Sequence, residues 1–486
     1  MLISSDEITT LRELCLLTLP PAIKRLCDVG ALPRPPRGRF LRLGQDYFHN
    51  ELDDIQEVSK LVDFLKSQAL IKSLYVRQDN DTYVLFEIWR RLLTDILADT
   101  DGTTVSNAVF NKWFVRFIGE LYKESAVWRS VDVIDGLVMD CKQLKLDKYS
   151  SLISLRCLTQ YDPWHWLDAL VPRHDHYFDS VQFAWDTWKN LHSLDKATVV
   201  VTTMTIPKAE YQPRNQPLNK LKQIERSLAT IESVRLLKPG TPKLIGSAVF
   251  HLSNFPLDDP FGYSSDKYGR LMYEKDTTIS RHDYQHVTSL WREIFNDKCQ
   301  HPLMSRNTTS PMEIAEARFF NSYETKGWFE NILDLTISLE ALFSPSDHEE
   351  LSHRIALRCA WLLQQQGDMD GTLIGNVYNQ VKAMYDVRSK IVHGASPKQS
   401  QIRKWIGKIR GKDFEESKSE WEQFESSLES ARDLVRKSLC ICRTLSKLSK
   451  DGPHWPLPDD FDALLVNNKQ RATWQIAAGI LPRSTR

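Results

Sequence analysis

Tyr385-Asp-Val-Arg-Ser-Lys-Ile-Val-His-Gly394 is the stretch on which the reading of this chain turns. Wound as a helix at about 100° per residue, it places Val381, Met384, Tyr385, Ile391 and Val392 on one apolar face, with Val387 at the edge. Arg388 sits near the middle of that face. An unpaired guanidinium in a core loses its hydration with nothing in return. Arg388 is therefore either paired with a buried acid or on a face that opens onto a cleft. Glu340 and Glu350 are the candidate acids on the adjacent helices. Next along the chain comes His393, whose side-chain type titrates near neutral pH. Gly394 suits a helix C-cap.

Helical periodicity extends outward from this stretch on both sides. A first helix is expected from Pro311 to Phe343, with Pro311 in its first turn and Gly327 as a weak point. A capping-box signature, Ser346-Asp-His-Glu349, opens a second helix running to about Gln366. Thr372–His393 is the third and Phe414–Ser449 the fourth. Mostly short connections between them predict an up-and-down four-helix bundle. The tail from Gly452 is expected to pack back through Trp455, Phe461, Leu464 and Trp474.

The decapeptide resembles the R-x4-6-H motif of HEPN domains, most closely the Apea-like branch. Ile337-Ser-Leu-Glu-Ala-Leu-Phe343 and Glu350-Leu-Ser-His-Arg-Ile-Ala-Leu-Arg358 fit the same family pattern. The resemblance covers Ile314 to Ser449. Arg281-His-Asp-Tyr-Gln-His286 matches the spacing too, but its surroundings do not resemble a HEPN helix. The resemblance implies a HEPN-type bundle acting as a metal-independent RNA endonuclease. It also implies RNA as partner, no cofactor, and a homodimer or higher oligomer formed through the C-terminal bundle. A place in antiphage defence or stress response follows from the same resemblance, with residues 1–300 as sensor or gate.

The chemistry suits those residue types. RNA carries its own nucleophile, the 2′-OH. Imidazole can take or give a proton near pH 7. Arginine stays cationic and can clamp two phosphate oxygens as charge builds. By the resemblance, His393 handles the proton and Arg388 the transition-state charge, with Tyr385, Asp386, Ser389 and Lys390 supporting. Each has a plainer reading. Tyr385 suits the core, Asp386 and Lys390 suit a surface i,i+4 pair, Arg388 a structural ion pair, and His393 a helix-end cation.

Between Val387 and Lys412 there are eight Lys or Arg residues and no acid. Arg403, Lys404, Lys408 and Arg410 in this run are candidates to track a phosphate backbone, with Trp405 for base stacking. The alternative is a basic loop and short helix neutralised by Asp413-Phe-Glu-Glu416. For the whole protein, the competing reading is a non-catalytic scaffold that binds RNA, nucleotide or protein through the bundle.

The rest of the chain sets bounds. At 486 residues it has room for two to four domains, and 42% hydrophobic with 26% charged residues is ordinary globular composition. The expected fold is mainly α with a small α+β region. Residues 1–192 read as mostly helical, 193–300 as a small α+β domain, 301–450 as the bundle and 451–486 as its tail. In the first part, a helix pair over 7–30 is broken at Pro20-Pro21. Candidate helices follow at Asp53–Leu65, Thr82–Ala98, Asn107–Tyr122 and Val181–Leu191. Leu32-Pro-Arg-Pro-Pro-Arg-Gly-Arg-Phe40 is an extended basic loop, either a linker or a phosphate-contacting arm. In the second part, Ala197–Thr205, Ile231–Leu237, Lys243–Leu252 and Tyr268–Thr278 read as strands, Leu218–Ala229 as a helix. His282–Trp291 bridges to the bundle.

Net charge is zero, so nucleic acid must be held by a local patch rather than a global field. No phosphate-cradling glycine loop of known spacing occurs. Trp164-His-Trp166 and His174-Asp-His176 lack metal-ligand spacing and read as surface or core histidines. Eight cysteines without a C-x-x-C pair, no apolar run of spanning length and no signal-like start point to a reduced, cytoplasmic protein with no membrane part.

Overall fold

The computed structural model describes residues 4–28, 52, 54–75, 82–100, 104–155, 196–207, 223–251, 261–264, 276–300, 310–324, 327–344, 351–364, 372–394, 396–415, 417–448 and 461–478. The protein is mainly helical with a small antiparallel sheet. It divides into two compact units, one of Met1–Asp135, Cys141–Ser227 and Leu244–Gly269, the other of Gly136–Asp140, Leu228–Lys243 and Arg270–Arg486. Among the described residues no helix is long and apolar enough to cross a membrane.

The first unit opens with α1 (Ser5–Asp28), α2 (Gln56–Ser67), α3 (Ala69–Tyr75), α4 (Thr82–Ala98) and α5 (Asn107–Leu121). Their apolar faces meet around Leu11, Cys15, Leu61, Trp89 and Phe110, all fully buried. Trp89 Nε1 donates to Thr18 Oγ1 at 2.8 Å, so this fully buried indole has its one polar atom satisfied. A six-stranded sheet follows, in the order β3 (Gln143–Lys145), β4 (Ser150–Ser154), β5 (Ala197–Pro207), β1 (Ser125–Asp135), β6 (Lys243–His251) and β7 (Phe261–Ser264). β1 and β5 pair antiparallel along their whole length, from Ser125 opposite Pro207 to Asp135 opposite Ala197.

The second unit holds the two-stranded pair β2 (Leu137–Met139) and β8 (Thr277–Ile279), which run parallel. Part of α6 (Gln223–Leu237) belongs to it, then α7 (Tyr284–Gln300), α8 (Pro311–Asn321), α9 (Trp328–Phe343), α10 (Leu351–Leu363), α11 (Thr372–Val392), α12 (Gln399–Arg410) and α13 (Glu420–Leu448). Short polar side chains let the helices approach closely. Ser338 Oγ on α9 donates to the Ala315 carbonyl of α8 at 2.8 Å, and Thr336 Oγ1 reaches the Met384 carbonyl of α11 at 3.4 Å. Trp328 ties the start of α9 to α13: its Nε1 donates to Ser427 Oγ at 2.8 Å, and its ring stands edge-on to Phe424. At the end of the chain, α14 (Phe461–Val466) and α15 (Asn468–Ala477) return onto α10. Gln475 donates to the Leu362 and Gln364 carbonyls, and Arg358 holds Asp462 through Nε at 2.7 Å. Trp474 is buried there, as expected, whereas Trp455 lies outside the described residues.

Several elements differ from their sequence reading. α1 runs unbroken through Pro20 and Pro21. A helix-interior proline costs about 3 kcal/mol or more; here Leu19, Ala22, Ile23 and Leu26 are buried on both sides of the pair and hold the helix on the core. The mostly helical region expected over 1–192 contains β1, β2, β3 and β4. The last residues of β1 are buried on both faces, which erases the alternation that marks a half-exposed strand. Ile231–Leu237 is helix, not strand. Its β-branched residues share a buried surface with Thr230 and Ser233, and Ser233 Oγ donates to the Thr230 carbonyl one turn back, so no apolar stripe is visible.

In the bundle, the expected first helix is two. α8 starts on a Ser310–Glu313 capping box, and Gly327, extended at φ −94° and ψ 134°, is the N-cap of α9. The basic stretch forms a further helix, α12, which ends on Gly411 at φ 67°, so the fourth expected helix starts only at Glu420. The helix Val181–Leu191, the loop 32–40, the histidines near 164–176 and the capping box at Ser346 lie outside the described residues.

The Trp89–Thr18 bond yields a stability prediction. Thr18→Val removes the acceptor but keeps the shape, leaving a buried indole N–H unpaired. Urea unfolding of this variant is expected to show a loss of about 1–3 kcal/mol, read as a lower midpoint at unchanged slope.

Candidate functional site

α11 carries the site because its apolar face is sealed at one end and open at the other. Val381, Met384 and Val387 are fully buried. One turn further on, Ile391 is half-buried and Val392 is 57% exposed, so the apolar face is not sealed here. Arg388 sits at the transition. Gly394, at φ 65°, ends the helix, and its N–H donates to the Ile391 carbonyl at 3.0 Å. His393 lies at that end with its N–H on the Ser389 carbonyl, its side chain exposed.

Arg388 meets both conditions set by the sequence. Glu340, from the last turn of α9, is its acid: Nε and Oε1 are 2.9 Å apart, with side chains 29% and 15% exposed. Those two atoms are sealed from water but not aligned for a hydrogen bond, so the contact is ionic. The Nη groups differ. They donate no hydrogen bond to any described residue, and neither is sealed from water as Nε is. The guanidinium is thus held by its inner edge and presents its outer edge to solvent. It also lies over the Tyr385 ring, 5.4 Å from the centroid. Burial, then the hydrogen bond and negative charge of Glu340, push the Tyr385 phenol up to about 12, against the opposing pull of Arg388. Glu350, the other candidate acid, lies outside the described residues.

The remaining motif residues are peripheral. Asp386 and Lys390 are exposed and no ion pair joins them, so the expected i,i+4 pair is not formed. Ser389 is half-buried and contributes its carbonyl to the helix end.

The basic helix α12 is only partly as read. Trp405 is 3% exposed and fills the core, which removes it as a stacking platform. At helical spacing it falls with Ile406 and Ile409 on the buried side, and a large ring there excludes more water than it would on the surface. Arg403 Nη2 is 2.7 Å from Glu420, and Arg410 Nη2 is 2.9 Å from Glu415. Both guanidiniums are neutralised at least in part, by one acid of the run after the helix and one at the start of α13. Lys404 and Lys408 are exposed.

Four residues that the sequence reading passed over line the seam between α10 and α11. Lys382 Nζ donates to Ser352 Oγ at 2.9 Å. His353 Nδ1 is 2.9 Å from the Tyr378 hydroxyl, with the rings edge-on at 5.7 Å. The signal was present as spacing: Tyr378, Lys382, Tyr385, Ser389 and His393 recur every three or four residues and share one face of α11. Among the described residues no group of His, Cys, Asp and Glu is arranged to hold a metal.

No family model, curated protein or solved structure matches this chain. The HEPN resemblance therefore stands on the quoted residues alone.

The Tyr385 geometry makes a titration prediction. In the difference between wild type and Tyr385→Phe at 295 nm, one phenol is expected to ionise near pH 12 in place of the ordinary 10.0. Because its folded value is raised, its stabilising contribution is fully present below pH 10 and disappears between pH 10 and about 12. A difference spectrum titrating near 10 would contradict the contact with Glu340.

Proposed function

We propose that this protein is a metal-independent endoribonuclease whose site lies at the C-terminal end of α11. The observation that carries the reading is the divided environment of Arg388: Nε sealed against Glu340, Nη groups without a hydrogen bond among the described residues and not sealed from water. A guanidinium fixed along one edge is pre-oriented to place two parallel N–H donors on phosphate oxygens. In a purely structural ion pair buried for stability, those donors would be expected to find protein partners as well.

The reaction follows from the groups present. The 2′ oxygen attacks the adjacent phosphorus, and the P–O5′ bond breaks. The products are a 2′,3′-cyclic phosphate and a 5′-hydroxyl. Arg388 offsets the charge gained by the non-bridging oxygens. His393, exposed and unencumbered by side-chain partners among the described residues, takes the proton from the 2′-OH or delivers one to O5′. Arg388 and His393 are five residues apart, about 140° around the helix and 7.5 Å along it. A single α11 therefore splays them, and two copies meeting at their α11 ends would bring the imidazole of one beside the guanidinium of the other. We accordingly propose a homodimer, or a higher oligomer, through the bundle.

A second reading keeps the 2.9 Å contact to Glu340 as the whole role of Arg388. The bundle is then a scaffold with no chemistry. Arg388→Lys separates the two, since lysine keeps the charge beside Glu340 but not the two-pronged donor set. The nuclease reading expects Arg388→Lys and His393→Ala to fold as wild type. Each should cut labelled single-stranded RNA in EDTA about a hundredfold or more slower. Wild type that leaves RNA intact in EDTA and in magnesium alike would establish the scaffold.

A further inference from the structure

The side-chain stripe on α11 continues away from Arg388 and meets α10. Lys382 is half-buried there, and among the described residues its one polar partner is the neutral hydroxyl of Ser352. An ammonium partly withdrawn from water, with no carboxylate paired to it among the described residues, is an attractive seat for an anion. One turn further, the Tyr378 ring is braced by the exposed His353 through their hydrogen-bond contact. A cation followed by aromatic rings is the arrangement that holds a nucleic-acid backbone together with an unpaired base.

A strand reaching all three would climb the helix while winding partly around it. Six residues separate Lys382 from Arg388, about 9 Å of axial rise and about 120° of turn, and Tyr378 lies about 15 Å of rise and about 80° of turn from Arg388. We propose that the α10–α11 seam is the binding track for the RNA flanking the cleaved bond. Lys382 holds a neighbouring backbone phosphate, and Tyr378 with His353 receives a base. The substrate class is then single-stranded RNA, because a base locked in a duplex cannot reach side-chain rings. This inference rests on the nuclease reading of Arg388.

The test uses the full-length protein and a short fluorescein-labelled oligouridylate with 2′-O-methyl groups, which binds but cannot be cut. Anisotropy titrations at several NaCl concentrations give the affinity and its salt slope. Lys382→Met is expected to lower the magnitude of the log–log slope by about 0.7, the value for one single-strand phosphate contact, and Lys382→Arg to restore it. Should the methionine variant lose its fold, Lys382→Gln keeps a donor for Ser352 without the charge and reads the same slope. Tyr378→Ala is expected to weaken binding by about fivefold to a hundredfold at every salt concentration, with the slope unchanged. Lys469→Met, an exposed lysine on α15 with no assigned role, is the control for diffuse attraction.

If Arg388→Ala weakens binding while the Lys382 and Tyr378 variants bind like wild type, the track is wrong and the nuclease reading survives. Equal losses from Lys469→Met and Lys382→Met also overturn the track. If wild type does not bind the strand at all, both fall together.

Discussion

A positive charge set into the apolar interface between α9 and α11 is the constraint around which the second unit is arranged. Arg388 cannot enter that interface alone, and Glu340 enters from the facing helix to meet it. The pair fixes how the end of α9 lies against α11. Thr336 and Ser338, one turn or less away on α9, bring backbones close enough for the charges to meet. Tyr385 fills the side of the pair, its phenol kept neutral by burial and by the carboxylate. Beyond the pair the apolar face stops, and Val392 and His393 stand in solvent.

Other arginines of the same unit show what a structural guanidinium looks like here. Arg436 donates to the Leu236 and Leu237 carbonyls and pairs with Asp433. Arg235 is bound by Glu324 and by the Pro242 carbonyl, and both it and Arg432 lie over the Tyr323 ring, 4.2 and 4.3 Å from its centroid. Arg471 is enclosed by Leu465, Gln364 and Asn468. In Arg235 and Arg471 the Nη groups carry the bonds, and in Arg436 both Nη groups and Nε do. Arg388 differs: its Nε is sealed against Glu340, and its Nη groups make no hydrogen bond among the described residues. That contrast within one domain, rather than the presence of an arginine in a helix, gives the site its chemical interest.

Where the sequence could be read depended on whether one face of an element stayed wet. α4 was legible to the residue at both ends, and α5 to one residue, because each shows an amphipathic face and α5 has a Ser106 cap. α6 and β1 were misread because polar side chains share their buried surfaces, so neither period survives. α1 defeated a local rule: proline breaks an isolated helix, but a helix held by Leu19, Ile23 and Leu26 in a core does not depend on two hydrogen bonds. Trp405 was misplaced for a related reason. A run of lysines and arginines looks exposed in sequence, yet its helix has a buried side like any other.

By itself the sequence determined that a cation and an imidazole share the end of one helix, that the helix stops at Gly394, and that Arg388 needs either an acid or an opening. Those follow from local geometry and the cost of an unpaired buried charge, which depend only on neighbours along the chain. The tertiary structure alone decided that both conditions hold together, that Glu340 is the acid, and that Lys382 and Tyr378 adjoin Ser352 and His353. These are contacts between helices far apart in sequence, set by how α9, α10 and α11 pack, and no residue spacing within one helix contains them.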